Sequence, residues 1–60
     1  VSKRAVDALF EGFFILTDIR CMLRETAPGH ALDEHQKEQV RSLLSQLEGT
    51  LAVLREELAP

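Results

Sequence analysis

The feature that most constrains this chain is a run of apolar residues in its second half, at alternating spacings of four and three residues. The run comprises Val40, Leu44, Leu47, Leu51, Leu54 and Leu58. Such spacing places all of these side chains on one stripe of an α-helix, and that stripe is the one that packs against other helices. The pattern therefore predicts a helical packing surface and indicates no catalytic chemistry.

A single break divides the 60 residues into two segments. Pro28 is the only interior proline, and a proline disfavours the helical conformation of the residue before it, here Ala27. Pro28 and Gly29 suit the two central positions of a tight turn in which the glycine adopts a positive φ angle. The chain is therefore predicted to reverse its direction at this point.

Both segments carry helix signals at their starts. Ser2 can cap the first helix, and Asp33 followed three residues later by Gln36 is the pattern of a capping box for the second. We predict an all-α fold consisting of an antiparallel two-helix hairpin in a single domain. Its predicted parts are the domain 1–60, a helix over about 2–25, a turn over 26–32 and a helix over about 33–58.

Apolar residues of the first segment also recur at heptad spacing, so the two halves specify one register. Folding the hairpin about Gly29 brings these residues level with the leucines of the second segment. We expect them to form the contact between the two helices. The predicted pairs are Arg20 with Val40, Leu16 with Leu43 and Leu44, Phe13 with Leu47, Leu9 with Leu51, and Val6 with Leu54.

The first helix carries more apolar side chains than one neighbouring helix can cover. Its only consistently charged stripe consists of Arg4, Glu11, Asp18 and Glu25. Since burying a Phe or Ile contributes roughly 1.5 to 3 kcal/mol, we expect a second copy to cover this surface in a four-helix bundle, with Gly12 allowing close helix packing. A different protein or the remainder of a longer chain are the alternatives. The predicted interface residues are Leu9, Phe10, Gly12, Phe13, Phe14, Leu16, Ile19 and Met22.

Arg20 interrupts the apolar contact stripe of the first helix, between Leu16 and Leu23. We expect its aliphatic stem to pack while its guanidinium reaches Glu34 or Glu38, which would fix the register of the bundle. The alternative is an anion-binding site formed by Arg20, Arg24 and Lys37.

Residues capable of metal or acid–base chemistry are few. Cys21, His30 and His35 match no zinc or di-iron spacing, and a lone cysteine on an apolar helix is usually a small buried hydrophobe. The carboxylates of the first helix follow its solvated stripe, whereas general acid–base catalysis needs a cleft that shifts a pKa. We therefore predict no metal site, no cofactor and no enzymatic activity.

The composition indicates a compartment but no partner. One cysteine permits no intrachain disulfide, and no apolar run is longer than that at 13–16, which is too short to span a bilayer, so a cytoplasmic protein is expected. A net charge of −3 and the acidic stripe of the first helix disfavour a surface that binds nucleic-acid phosphates.

These observations favour a homodimeric protein-interaction module, a regulator or adaptor that acts through its surface. In length, hairpin layout and turn position the chain also resembles Rop, a class of plasmid copy-number regulators whose two-helix chains dimerise. No motif matches residue by residue, and a Rop-like nucleic-acid-binding regulator is one alternative. A dimerisation or docking segment of a larger protein is another.

Overall fold

A computed structural model describes residues 1–29 and 31–60, and over these residues the chain is helical with short non-helical ends and a turn. Helix α1 spans Lys3–Glu25 and helix α2 spans Glu34–Leu58. The two helices pack side by side in opposite directions, and the hairpin extends 40 Å along its longest axis. The predicted all-helical hairpin is confirmed.

Both predicted helix caps are present. The Ser2 hydroxyl accepts a hydrogen bond of 3.1 Å from the backbone N–H of Ala5. The Asp33 carboxylate accepts from the backbone N–H of Gln36 at 2.8 Å, and the Gln36 side chain accepts from the Asp33 N–H at 2.9 Å. These bonds satisfy N–H groups that have no partner within the helix, so local sequence fixes where each helix begins.

Helix α1 ends without a left-handed residue. The backbone N–H of Thr26 donates to the carbonyl of Leu23, and that of Ala27 donates to Arg24, so the last turn tightens into bonds that span three residues. The Thr26 hydroxyl also donates to the Leu23 carbonyl, at 2.7 Å. No glycine in the described part of the chain has a positive φ, so the expectation for Gly29 was wrong.

The register of the two helices is the predicted one. The Arg4 guanidinium reaches the carboxylates of Glu56 and Glu57 at 3.2 and 3.1 Å. Farther along the hairpin, Gly12 lies against Thr50. Both contacts match the predicted pairing of levels along the two helices.

The face that α1 turns toward α2 differs from the predicted one by one residue. Its predicted contact residues are instead 40% to 55% exposed, and they are Val6, Leu9, Phe13, Leu16 and Leu23. The residues that pack against α2 are buried or partly buried, and they are Ala5, Ala8, Gly12, Ile15, Ile19 and Met22. The small side chains at the open end let the two helices approach closely, which larger side chains would prevent.

Helix α2 contributes part of its predicted stripe. Val40, Leu47 and Leu54 are partly buried, as predicted, whereas Leu44 and Leu51 are exposed. We call the contact between the helices the interhelical seam. On α1 it consists of Ala5, Ala8, Gly12, Ile15, Ile19 and Met22, and on α2 of Val40, Leu43, Leu47, Thr50 and Leu54.

Gly49 offers a first test of these helix assignments. It lies within α2, is exposed, and a Cβ atom added there would meet no atom within 4 Å. Because glycine lowers the stability of a helix interior by about 1 kcal/mol relative to alanine, Gly49→Ala should raise the free energy of unfolding by about that amount. Urea unfolding at a fixed chain concentration measures it, and a loss of stability would contradict the assignment of Gly49 to an open helical surface.

Candidate interaction surface

The two long sides of the hairpin can be told apart by position relative to the seam. The helices run in opposite directions, so the residue before each seam residue lies on one side of the hairpin and the residue after it lies on the other. Arg4 precedes the buried Ala5, and Glu56 precedes the partly buried Glu57. The two form an ion pair across this side of the hairpin. Polar side chains from both helices also line one shallow hollow with Met22 and Leu43, namely Asp18, Gln39 and Ser42.

The side that precedes the seam is polar, and we call it the polar side. Phe14 and Cys21 are exposed on this side as well, and its exposed polar residues include Arg4, Asp7, Glu11, Asp18, Gln39, Ser42, Gln46 and Glu56. Hydrogen bonds to Glu57 and Glu56 raise the pKa of the Arg4 guanidinium, and a hydrogen bond to Asp7 at 2.8 Å raises the pKa of the Lys3 ammonium. These groups are solvent-exposed, so the polar side is a hydrated surface that carries ion pairs.

The side that follows the seam is apolar along the hairpin, and we call it the apolar side. Its large hydrophobic side chains are 40% to 55% exposed, and they are Val6, Leu9, Phe13, Leu16 and Leu23 from α1 with Leu44, Leu51 and Leu58 from α2. Monomers rarely expose contiguous apolar patches larger than a few hundred Å², so this stripe, which both helices form, is the candidate interaction surface.

The total surface supports the same conclusion. The hairpin exposes 4616 Å², and its mass is 6.7 kDa. A compact monomer of this mass is expected to expose about 3900 Å², some 700 Å² less. A standard protein–protein interface buries about 800 Å² on each partner, which is close to this excess. The hairpin also lacks any fully buried large side chain among the described residues.

The predicted interface residues fall into three groups. Leu9, Phe13 and Leu16 lie on the apolar side. Phe10 and Phe14 are exposed as well, at 54% and 69%, but they lie elsewhere on α1. Phe14 precedes a seam residue and therefore belongs to the polar side, whereas Phe10 faces away from α2 by its position on the helix.

The third group is occupied within the hairpin. Gly12 is buried, and a Cβ atom there would lie 3.6 Å from the Thr50 Cγ2 atom and 3.8 Å from the Leu47 Cδ1 atom. Ile19 and Met22 are partly buried in the same seam. The glycine thus does allow close packing of helices, but the helix it meets is α2 of its own chain.

Arg20 is exposed on the apolar side, and its expected partners are engaged elsewhere. The Glu34 carboxylate pairs with Lys37 at 3.2 Å, and that of Glu38 pairs with Arg41 at 2.8 Å. Within residues 1–29 and 31–60 the structure records no ion pair for Arg20, so its expected bond to Glu34 or Glu38 was wrong. Arg20 is the one charged residue that the described helix α1 contributes to the apolar side, which α2 borders with Arg41, Glu48 and Arg55.

Arg24 follows Arg20 by four residues and lies one helical turn farther along α1. It lines a small surface hollow with Cys21 and Glu25, and all three are exposed. The exposure of Cys21 differs from the expected burial of a small hydrophobe. The alternative anion site at Arg20, Arg24 and Lys37 therefore has no enclosed pocket in the described part of the chain.

The groups considered for metal binding are not brought together. His35 is exposed at the start of α2, and His30 lies outside the described residues. Among the residues that the structure describes, no group of three or more His, Cys, Asp or Glu side chains is placed to hold a metal ion. Neither of the two described helices contains a segment that is long and apolar enough to cross a membrane.

Sequence reasoning missed part of the apolar side. The predicted contact within the hairpin includes Val6 and Leu23, with Leu44, Leu51 and Leu58, and the structure leaves these side chains exposed. The exposed leucines of α2 recur every seven residues, which is the spacing of one edge of a helix. That signal was present in the sequence, but it did not reveal which neighbour the edge meets.

No protein-family model matches this chain, and no curated protein or solved structure matches it at a significant level. Its function must therefore be argued from its own surface.

Proposed function

We propose that this protein is a small non-enzymatic protein-interaction module that pairs with a second copy of itself through the apolar side. Two hairpins joined in this way would form a four-helix bundle, in which each helix packs against two neighbours. The observation that carries the proposal is the continuous apolar side, to which both helices contribute. A cytoplasmic location would suit a chain whose one cysteine is a free thiol.

The energetics favour pairing of like surfaces. Fully burying a large aliphatic or aromatic side chain contributes roughly 1.5 to 3 kcal/mol, so completing the burial of eight that are about half-exposed would contribute about 6 to 12 kcal/mol per chain. Both chains of a dimer gain this amount, whereas association costs an estimated 4 to 15 kcal/mol once. A second copy always offers a surface of the same length and the same apolar character.

A docking role is supported by a separate observation. Phe10 and Phe14 lie off the apolar side, so a dimer of this kind would leave both of them in water. A bundle that also binds another protein, or that belongs to a longer chain, would use them. A nucleic-acid-binding role has less support, because the carboxylates of Glu11 and Asp18 are exposed on the polar side.

The proposal is tested by light scattering after size exclusion, across a dilution series, with helicity measured by circular dichroism. We expect a mass of twice 6.7 kDa that persists on dilution, together with high helicity. Helicity and mass should fall together at the lowest concentrations, because the hairpin alone buries too little apolar surface to be stable. A stable, helical monomer at high concentration would overturn the proposal.

A further inference from the structure

The charges that border the apolar side select one of two ways of joining the hairpins. Two identical surfaces can pair about a two-fold axis with both turns at the same end, or with the turns at opposite ends. In the first arrangement α1 lies against the partner's α2, and in the second α1 lies against the partner's α1. This inference rests on the proposed dimer.

With the turns together, residues at equal levels meet. Arg20 and Arg41 lie at one level of the hairpin, because the observed register sets Arg20 beside Val40. Arg20 would face the partner's Arg41, and Arg41 would face the partner's Arg20, so four guanidinium groups would share one level of the interface. Glu38 already bonds Arg41, and no described carboxylate pairs with Arg20. Like charges at a desolvated interface oppose association.

With the turns at opposite ends, the same charges are separated. When Phe13 packs beside the partner's Leu16, Arg20 comes level with the partner's Leu9, where its aliphatic stem can lie along the apolar surface. On the other helix, Arg41 comes within one helical turn of the partner's Glu48. Arg55 comes level with the partner's Lys37, whose charge is offset by an ion pair with Glu34 of its own chain at 3.2 Å. The two-fold axis makes each of these contacts occur twice. Glu48 is exposed and has no ion pair within the described residues, so it is available for this contact.

We infer that two copies of this chain pair through their apolar sides with the turns at opposite ends, Arg20 and Arg41 excluding the other orientation. Arg20 thus acts as an orienting residue. A single polar residue in a helical packing stripe sets register and orientation in this way, at some cost in stability.

Distance measurement between spin labels tests the orientation directly. The label is attached at Ala31→Cys, an exposed site in the turn, in a Cys21→Ser background that removes the exposed native thiol. With opposite turns, the labels lie at the two ends of a bundle some 40 Å long, and we expect a distance above about 35 Å. With turns together, two helix diameters limit the distance to about 25 Å or less.

A label at Gln46→Cys is the matched control. Gln46 is exposed on the polar side near the middle of the hairpin, so its two copies lie at the same level in either orientation. A measurable distance between the Gln46 labels shows that the labelled chain is dimeric. Together with a distance above about 35 Å between the Ala31 labels, it supports the inference. A short distance at Ala31 in a dimer overturns the orientation and leaves the proposed function standing. A monomer by light scattering overturns both.

Charge reversal provides an independent measurement. Glu48→Arg would place an arginine near the partner's Arg41, and we expect the dimer dissociation constant to rise about tenfold at low salt and less at high salt. The double variant Arg41→Glu/Glu48→Arg restores opposite charges and should recover most of the affinity. An unchanged dissociation constant for Glu48→Arg would contradict the arrangement with the turns at opposite ends.

Discussion

Replacing Phe13 with aspartate should abolish self-association. Phe13 is 55% exposed at the middle of the apolar side, where the proposed dimer would bury it in both chains. Losing the half of this side chain that the dimer would newly bury removes roughly 0.75 to 1.5 kcal/mol per chain, and an unpaired carboxylate adds a desolvation cost. Since each 1.4 kcal/mol changes an equilibrium constant tenfold, the dissociation constant should rise more than a hundredfold. Light scattering across a dilution series measures it.

Phe14→Asp is the matched control for this experiment. The two phenylalanines are adjacent on α1, and Phe14 is the more exposed, at 69%, but it lies on the polar side. Its replacement removes the same apolar side chain and adds the same charge, so a general loss of helicity would appear in both variants. We expect Phe14→Asp to remain dimeric. Equal dissociation of the two variants would show that the apolar side is not the contact surface.

The ends of the helices and their register could be predicted because they depend on local chemistry. Ser2 and the Asp33–Gln36 pair accept hydrogen bonds from N–H groups within three residues of themselves. Pro28 interrupts a helix through its own ring and its missing N–H, whatever the tertiary packing. Once the turn is placed, the lengths of the two segments set the register, which the Arg4–Glu56 ion pair confirms. None of these steps requires knowledge of side-chain packing.

The rotation of α1 could not be predicted from hydrophobic periodicity. Periodicity identifies residues that avoid water in the complete assembly, but not the neighbour that covers each of them. Ile15 and Leu16 belong to two adjacent stripes that are both apolar, and the more hydrophobic stripe was assigned to the seam. The structure places the stripe containing Ala8 and Gly12 there, because small side chains allow close approach of the helices. Small residues three and four apart were the available signal.

The candidate surface was therefore predicted in part. Leu9, Phe13 and Leu16 were named as interface residues and are exposed on the apolar side. The contribution of α2, illustrated by Leu51, was missed because this leucine had been assigned to the contact within the hairpin. A stripe with heptad spacing can form either the contact within the hairpin or the contact with a partner. Thr50 is buried and Leu51 is exposed, and this observation assigns Leu51 to the apolar side.

Replacing Ile15 with alanine should cause the largest loss of stability of any aliphatic truncation on α1. Ile15 is 4% exposed and is the largest buried side chain in the seam, whose other buried members on α1 are alanine and glycine. Truncating a buried isoleucine to alanine typically costs 2 to 5 kcal/mol. Because a small domain has a total stability of 5 to 15 kcal/mol, this variant should be substantially unfolded at moderate urea concentrations.

Two further variants, measured at the same chain concentration, provide a scale for the loss of unfolding free energy in Ile15→Ala. Ile15→Val removes a single methylene and should cost about 0.5 to 1.5 kcal/mol, so the loss should follow the volume removed. Cys21→Ala, at an exposed site of the same helix, should change the free energy of unfolding by no more than about 0.5 kcal/mol. Urea unfolding followed by circular dichroism gives all three values, and an unchanged slope with denaturant would show that the unfolding transition itself is preserved. If Ile15→Ala lowered the free energy of unfolding no more than Cys21→Ala, Ile15 would not lie between the helices. The predicted contact through Leu16 would then be the correct one.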